Sequence, residues 1–405
     1  MLYRTHLIGA LRERRVDFID FERALRGEVG ELSARLRALA GETAEGVRRK
    51  SGAVAARVAY PSDELERAGA VVVPFEERWR SHEQAREWAL AALKGRTTFA
   101  ADGSQIFPGR EASVPVAAVQ VASFENPHTP EGRYTKDVHF EVITPGELMG
   151  TGRAFESPDQ IVGLRRFELE ARAVGDFLKK RSGWRARGER PPVAFFDNTL
   201  VVSSLRKGTE VNFSRRYASA LAELIHLSRE SEIPVVGYVD HSYAPDMRNL
   251  LEALHPDMAR TSAYDAQILR TTHAPGAEPL LKNWGDRTIF WHCQRENLAE
   301  TFYDELGAPL VGFVYLQTTS DGHPARLDIP AWVHEAGLIE EVADAVRAEC
   351  VVGNGYPYAI ETADEAAVMT ARDREQFLRA VQDFAAENSL SFRVSRKAVS
   401  KGRRR

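Results

Sequence analysis

The sequence has few cysteines: Cys293 and Cys350 are the only two in 405 residues. Two thiols cannot build a disulfide framework, which removes the class of small secreted, stapled folds. No apolar run approaches 18 residues, so no membrane-spanning helix is expected. The opening stretch "MLYRTHLIGALRERR" lacks a signal-peptide hydrophobic region, and the expected compartment is the cytoplasm. The histidines are scattered, and His292-Cys293 has no second pair at finger spacing, which argues against zinc. There is no GxxxxGK[ST] phosphate loop, so ATP is not bound that way, and no GxSxG nucleophile elbow. Strong positive charge is missing too. The net charge of −4 argues against a protein that coats nucleic acid non-specifically. It does not argue against a nuclease, because carboxylates that hold metals subtract from the total.

What is present is an ordinary soluble composition, 43% hydrophobic and 28% charged, over a length too great for one typical core. Residues 15–40 form an amphipathic helix. Phe18, Phe21, Leu25, Val29, Leu32, Leu36 and Leu39 follow each other by three or four residues, close to a heptad seam. That seam suits a dimer or partner contact, or a helix lying on its own domain. A second, polar helix is expected over roughly 75–95, with Gly95 just past its end. Short β-branched segments then follow near 97–106, 113–124 and 134–144. Ser157-Pro158-Asp159 starts a helix that runs to about 180. The most hydrophobic strand is expected at 193–202, a helix at 212–230, a strand at 234–239 and a helix at 245–254. Strands are plausible at 287–292 and 310–317, and a helix at 335–349. Three meandering strands followed by strand–helix units give an α/β fold, a mixed sheet with helices on its faces.

Three acids fall where such a sheet can gather them. Asp102 lies in "TTFAADGSQIF" on the first strand, Glu170 on the long helix, and Asp197 in "VAFFDNTLVV" on the fourth strand. If the first and fourth strands are neighbours, the two aspartates stand side by side, and a helix across them supplies the glutamate. An ionised Asp inside an apolar strand is costly unless paired or bound to metal. The bland alternatives are an Asp197 that ends its strand and an Asp102 that belongs to an Asp-Gly turn. Glu168 and Glu170 both flank the apolar stripe of their helix, and periodicity does not separate them. Clustered hard oxygens suit Mg²⁺ or Mn²⁺, and paired ions of this kind hydrolyse phosphodiesters.

"FAADGSQI", "RRFELE", "FFDNTLV" and "GYPYAIETADEAAV" occur in that order over about 95–390. Together they resemble the NurA nucleases, partners of the hexameric HerA DNA translocase. The resemblance implies an RNase H-like core, a manganese-dependent 5′–3′ nuclease active on DNA ends, a homodimer, and docking on a HerA-type ATPase ring. It makes Asp102, Glu170 (with Glu168 as competitor) and Asp197 the metal ligands, and it adds Tyr356 of "GYP" to the catalytic set. Asp364 stands where archaeal members have a histidine, and an Asp cannot donate a proton as imidazolium does. Many members carry a lysine after the fifth strand, where this chain has "VDHSY". Asp240 or His241 could contribute there, or form only a strand-end turn. Tyr356 could equally be a packing residue of a Gly/Pro loop.

The expected organisation is an N-terminal helical region at 1–94 for dimer or partner contacts, a nuclease domain at 95–390 and a basic tail at 391–405. The last 13 residues carry seven basic side chains and no acids. They read either as a solvated tail or as an arm for phosphates. The expected function is a metal-dependent exonuclease and single-strand endonuclease in DNA end resection and double-strand break repair. The alternatives are a non-catalytic adaptor of a DNA translocase and a nuclease for RNA or junctions.

Overall fold

The computed structural model describes residues 3–52, 57–109, 112–149, 157–202, 210–270, 278–296, 298–320 and 322–393. The chain divides into two compact units. One comprises Met1–Arg78, Val239–Glu296 and Gly312–Leu327, the other Trp79–Tyr238, Asn297–Val311 and Asp328–Arg405. Among the described residues no helix is long and apolar enough to cross a membrane.

The second unit is built on five paired strands: β1 (Thr98–Ile106), β2 (Ala117–Asn126), β3 (Thr135–Ile143), β4 (Val193–Phe196) and β5 (Val235–Val239). The spatial order is β5-β4-β1-β2-β3. β1, β2 and β3 form an antiparallel meander, and β1/β4 and β4/β5 pair in parallel. A mixed sheet with helices on its faces is what the strand–helix sequence led us to expect, and this 3-2-1-4-5 order is the RNase H-like arrangement that the family resemblance implied. The central strands are buried on both faces, as parallel sheets covered by helices must be. Among the helices, α1 (Arg4–Glu13) and α2 (Arg15–Ala38) belong to the first unit, and α3 (His82–Leu93), α4 (Pro158–Arg181) and α5 (Glu210–Ser231) to the second. α4 packs on β1 and β2 and against α5. Phe177 of α4 stacks on Phe99 of β1 at 4.4 Å. Its start is set as the sequence indicated: Pro158 is its first residue, and the Ser157 N–H donates to Gln160 Oε1 at 3.1 Å.

In the first unit, the second half of the α2 seam lies on its own unit and the first half is exposed. Val29, Leu32 and Leu36 are buried in the unit, beside α6 (Asp246–Leu254). Phe18 and Phe21 are 61% and 62% exposed, and α1 has no buried residue. The same unit buries a charged knot. The Asp246 carboxylate accepts from Arg295 Nε (2.6 Å), Arg295 Nη2 (2.7 Å) and Arg326 Nη1 (2.6 Å), and the Arg326 guanidinium lies 3.9 Å from the centre of the Phe313 ring.

Several boundaries differ from expectation. α3 begins at His82 rather than near 75, because the Ser81 hydroxyl caps it by accepting from the Gln84 N–H at 3.3 Å. The helix expected at 335–349 is α7 (Ile339–Val352), held off by Gly337 in the left-handed region (φ 70°). A sixth strand, β6 (Ala325–Pro330), was not among those expected. The fourth strand stops at Phe196, because the Asn198 N–H turns back to the Phe196 carbonyl at 2.8 Å. Of the basic run 393–405, all but Arg393 lies outside the described residues.

Candidate active site

The β1/β4 ladder gathers the first two acids. Ala101 pairs in parallel with Phe196, so the next residue on each strand, Asp102 and Asp197, emerges beside the other. Asp197 is exposed just past the strand end, not buried within the strand. The burial cost argued from its apolar flanks therefore does not apply to it. Phe195 and Phe196, the buried residues before it, bring it to the sheet end instead.

Asp102 and Gly103 point to opposite faces of β1. On the Gly103 face, α4 presents Arg166 and Glu170, four residues apart and therefore on one side of the helix. Arg166 Nη1 donates to the Gly103 carbonyl at 3.0 Å, and its Nε lies 3.5 Å from Glu170 Oε1. A Cβ at residue 103 would stand 2.6 Å from Glu170 Oε1 and 2.8 Å from Arg166 Cγ. Glycine is thus required because a glutamate and an arginine occupy the space. Glu168 turns the other way and pairs with Arg216 of α5 at 2.9 and 2.8 Å.

On the Asp102 face lies α8 (Tyr358–Ala367), which carries Asp364. Its C-terminal end is pinned there. Gln120 Nε2, across the ladder from Ser104, donates to the Ala367 carbonyl at 3.1 Å, and the Met369 N–H donates to Ser104 Oγ at 3.2 Å. The Asp364 carboxyl is hydrogen-bonded to that of Asp102. Tyr356, in the loop between α7 and α8, donates its hydroxyl to Asp197 Oδ1 at 2.8 Å, and its ring meets Tyr238 edge-on at 5.1 Å. Asp102, Glu170, Asp197, Tyr356 and Asp364 are therefore brought together. Asp240 and His241 belong to the other compact unit and pair with each other at 2.7 Å.

The electrostatics are those of crowded acids. Burial pushes the Glu170 carboxyl up to about 8, opposed by Arg166 and reinforced by Asp102 and Asp197. Burial also raises Asp102 to about 6; the Gly103 N–H opposes this, and the Asp364 and Asp197 carboxylates add to it. Glu170 is buried, yet its Oε1 makes no hydrogen bond. Among the described residues, no three His, Cys, Asp or Glu side chains are closed to metal-ligand spacing. The carboxylates are near enough to raise one another's pKa, but they do not form a closed ligand set as they stand. A buried, orphaned carboxylate oxygen beside three further carboxylates is nevertheless a donor set that fits a hard divalent cation.

Sequence reasoning missed two contributors. Arg166 was inside the quoted "RRFELE", and its i−4 spacing from Glu170 was the available signal. Asp328 in "RLDIPAWV" showed the pattern used for Asp197, an acid in an apolar run. It is fully buried and accepts from Thr199 and Leu200.

The NurA domain model matches residues 96–369. No curated protein matches the chain. A crystal structure of NurA with manganese is similar over 76% of this chain and 94% of its own, at 10% identity and a TM-score of 0.38. A structure of NurA bound to dAMP and manganese covers 75% and 93%, at 11% identity and 0.34. The catalytic domain of human endonuclease V covers 83% and 96%, at 14% identity and 0.29. TM-scores this low decide nothing about the site. The domain match spans well over half of the 405 residues, and by it the chain belongs to the NurA family of nucleases.

Proposed function

We propose that this chain is a metal-dependent deoxyribonuclease. The observation that carries the reading is the β1/β4 register, which sets Asp102 beside Asp197, with the buried Glu170 carboxyl near enough to feel both. Asp102, Glu170 and Asp197 would hold Mn²⁺, or Mg²⁺ in its place. The ion, when bound, supplies Lewis-acid stabilisation of charge building on the phosphoryl group. The chain's own groups do the rest. Tyr356 orients Asp197 through its hydroxyl. Arg166, with its side chain 35% exposed, offers a cation to a phosphate. Asp364 adds a carboxylate to Asp102 where archaeal relatives have histidine, so this chain has no imidazolium there to protonate a leaving group.

The finer reading is 5′–3′ exonuclease and single-strand endonuclease activity in end resection, in the cytoplasm. A homodimer would work with a HerA-type hexameric ATPase that supplies the motion. The exposed stretch of α1 and α2, within the N-terminal region 1–94, is the candidate contact for dimer or ring, and 95–390 is the nuclease part. A non-catalytic adaptor is the second reading, but it gives no purpose to a Glu170 carboxyl buried close to the Asp102 and Asp197 carboxylates, a costly arrangement. The test is degradation of end-labelled DNA with Mn²⁺, Mg²⁺ or chelator, with and without the partner ATPase, and with RNA and junction substrates alongside. Mn²⁺-dependent DNA cleavage abolished by chelator is expected. No cleavage under any condition, with a folded protein, favours the adaptor.

A further inference from the structure

Asp197 is exposed, yet the residues after it are tied to the core through one buried acid. Thr199 Oγ1 donates to Asp328 Oδ2 at 2.5 Å, and the Leu200 N–H donates to the same oxygen at 3.1 Å. Asp328 sits on β6, fully buried, as is Leu200. The segment is also folded tightly on itself. Asn198 Oδ1 accepts from the Thr199 N–H at 2.8 Å, and Thr199 Oγ1 accepts from the Val201 N–H at 3.2 Å. β5 makes room for it. A Cβ at Gly237 would lie 2.7 Å from the Asn198 carbonyl oxygen and 2.8 Å from Leu200 Cγ. The strand ladder guides the chain only as far as Phe196. From there, the direction of the Asp197 side chain depends on the Tyr356 hydroxyl and on where residues 198–200 are held.

We infer that Asp328, through Thr199, is a positioning residue for Asp197: a latch that fixes the loop after β4 and so aims the carboxylate. An exposed aspartate on an untethered strand end would sample many directions, and ordering it would weaken any ligand that needs it. The latch supplies that order beforehand. The inference rests on the metal-binding reading for its second half, the placing of a ligand carboxylate. Its first half, the ordering of the loop, does not.

The experiment uses the full chain with Thr199→Val, which keeps shape and removes the hydroxyl, Thr199→Ser, which keeps the hydroxyl, and Asp328→Asn. Amide hydrogen exchange over 197–202 is measured without metal. Mn²⁺ binding is measured separately by calorimetry, which reads affinity apart from global stability. Thr199→Val is expected to speed exchange in the segment on the order of tenfold, the consequence of losing a charge-assisted hydrogen bond. It should weaken Mn²⁺ binding by roughly 10–100-fold, as loss of a partner that orients a ligand does. Thr199→Ser should restore both. Exchange in the segment unchanged in Thr199→Val and in Asp328→Asn overturns the latch. Faster exchange with undiminished Mn²⁺ affinity overturns its positioning role. A wild-type chain that binds no Mn²⁺ refutes the metal reading instead, and the exchange arm still decides whether the latch exists.

Discussion

Asp102 and Asp197 meet because two strands run in parallel and one residue follows the last ladder pair on each. That much was legible in the sequence, once the first and fourth strands were taken as neighbours. The argument for Asp197 itself was not sound. Its apolar flanks marked the strand, but a backbone turn at Asn198 ends the ladder and leaves the acid in solvent. The burial expected there belongs to Glu170, whose helix periodicity left it undistinguished from Glu168. The space that a side chain at residue 103 would take is filled by Glu170 and Arg166. A methyl group at that position must displace Arg166 Cγ as well as the carboxylate. Gly103→Ala is therefore expected to cost about 1–3 kcal/mol in denaturant unfolding and to reduce cleavage more than the neighbouring Ser104→Ala does. The raised acids also set a pH dependence. Folded-state values of about 8 for Glu170 and about 6 for Asp102 lie above the free-carboxylate range. Their contribution to stability is whole below about pH 4 and is lost as pH rises through those two values. The metal-free chain should thus lose this contribution between about pH 4 and about pH 8, while Mn²⁺, which competes with those protons, binds more tightly as pH rises over the same range. Calorimetric Mn²⁺ affinity that is flat with pH would contradict the assigned ligands.

At the scale of elements, strongly periodic segments were readable and interrupted ones were not. The helix read over 15–40 is α2, and the three-strand meander matches β1, β2 and β3 within a few residues. β6 was missed although Arg326 and Asp328 alternate with Ala325, Leu327 and Ile329 as in a strand. Both are buried, and each meets a partner far away in sequence that no local pattern reveals: Asp246 for Arg326, Thr199 for Asp328. The start of α3 carried a local signal, Ser81 ahead of "HEQ", that was passed over. The heptad seam of α2 could not show where the domain surface ends, since burial depends on neighbours such as α6. Its exposed front half makes a separate prediction. Phe18→Ser with Phe21→Ser should leave unfolding free energy within roughly 1 kcal/mol, as exposed positions do, while sedimentation shows loss of self-association. An unchanged mass, whether dimeric or monomeric, would remove this stretch as the dimer contact.

For the whole molecule, composition excluded more than it chose. Few cysteines, no apolar span and no phosphate loop narrowed the class, and the slight negative charge was compatible with a nuclease whose acids hold metal. All five candidate site residues lie in one compact unit, assembled from β1, α4, β4, the α7–α8 loop and α8. The other unit buries charges of its own. Asp246, held at about 2 by Arg326 and Arg295 against the cost of its burial, is the central one. Asp246→Asn leaves two guanidiniums short of a counter-charge and should destabilise the chain by about 3–5 kcal/mol in denaturant. The central claim is narrower than the fold: DNA is cut at the acid cluster, with the metal that cluster binds. Its most direct test is cleavage of end-labelled DNA in Mn²⁺ by Asp102→Asn and Asp197→Asn, each shown to be folded by its circular dichroism and melting curve. The account predicts cleavage at background for both beside an active wild type. Full activity in either variant would contradict it.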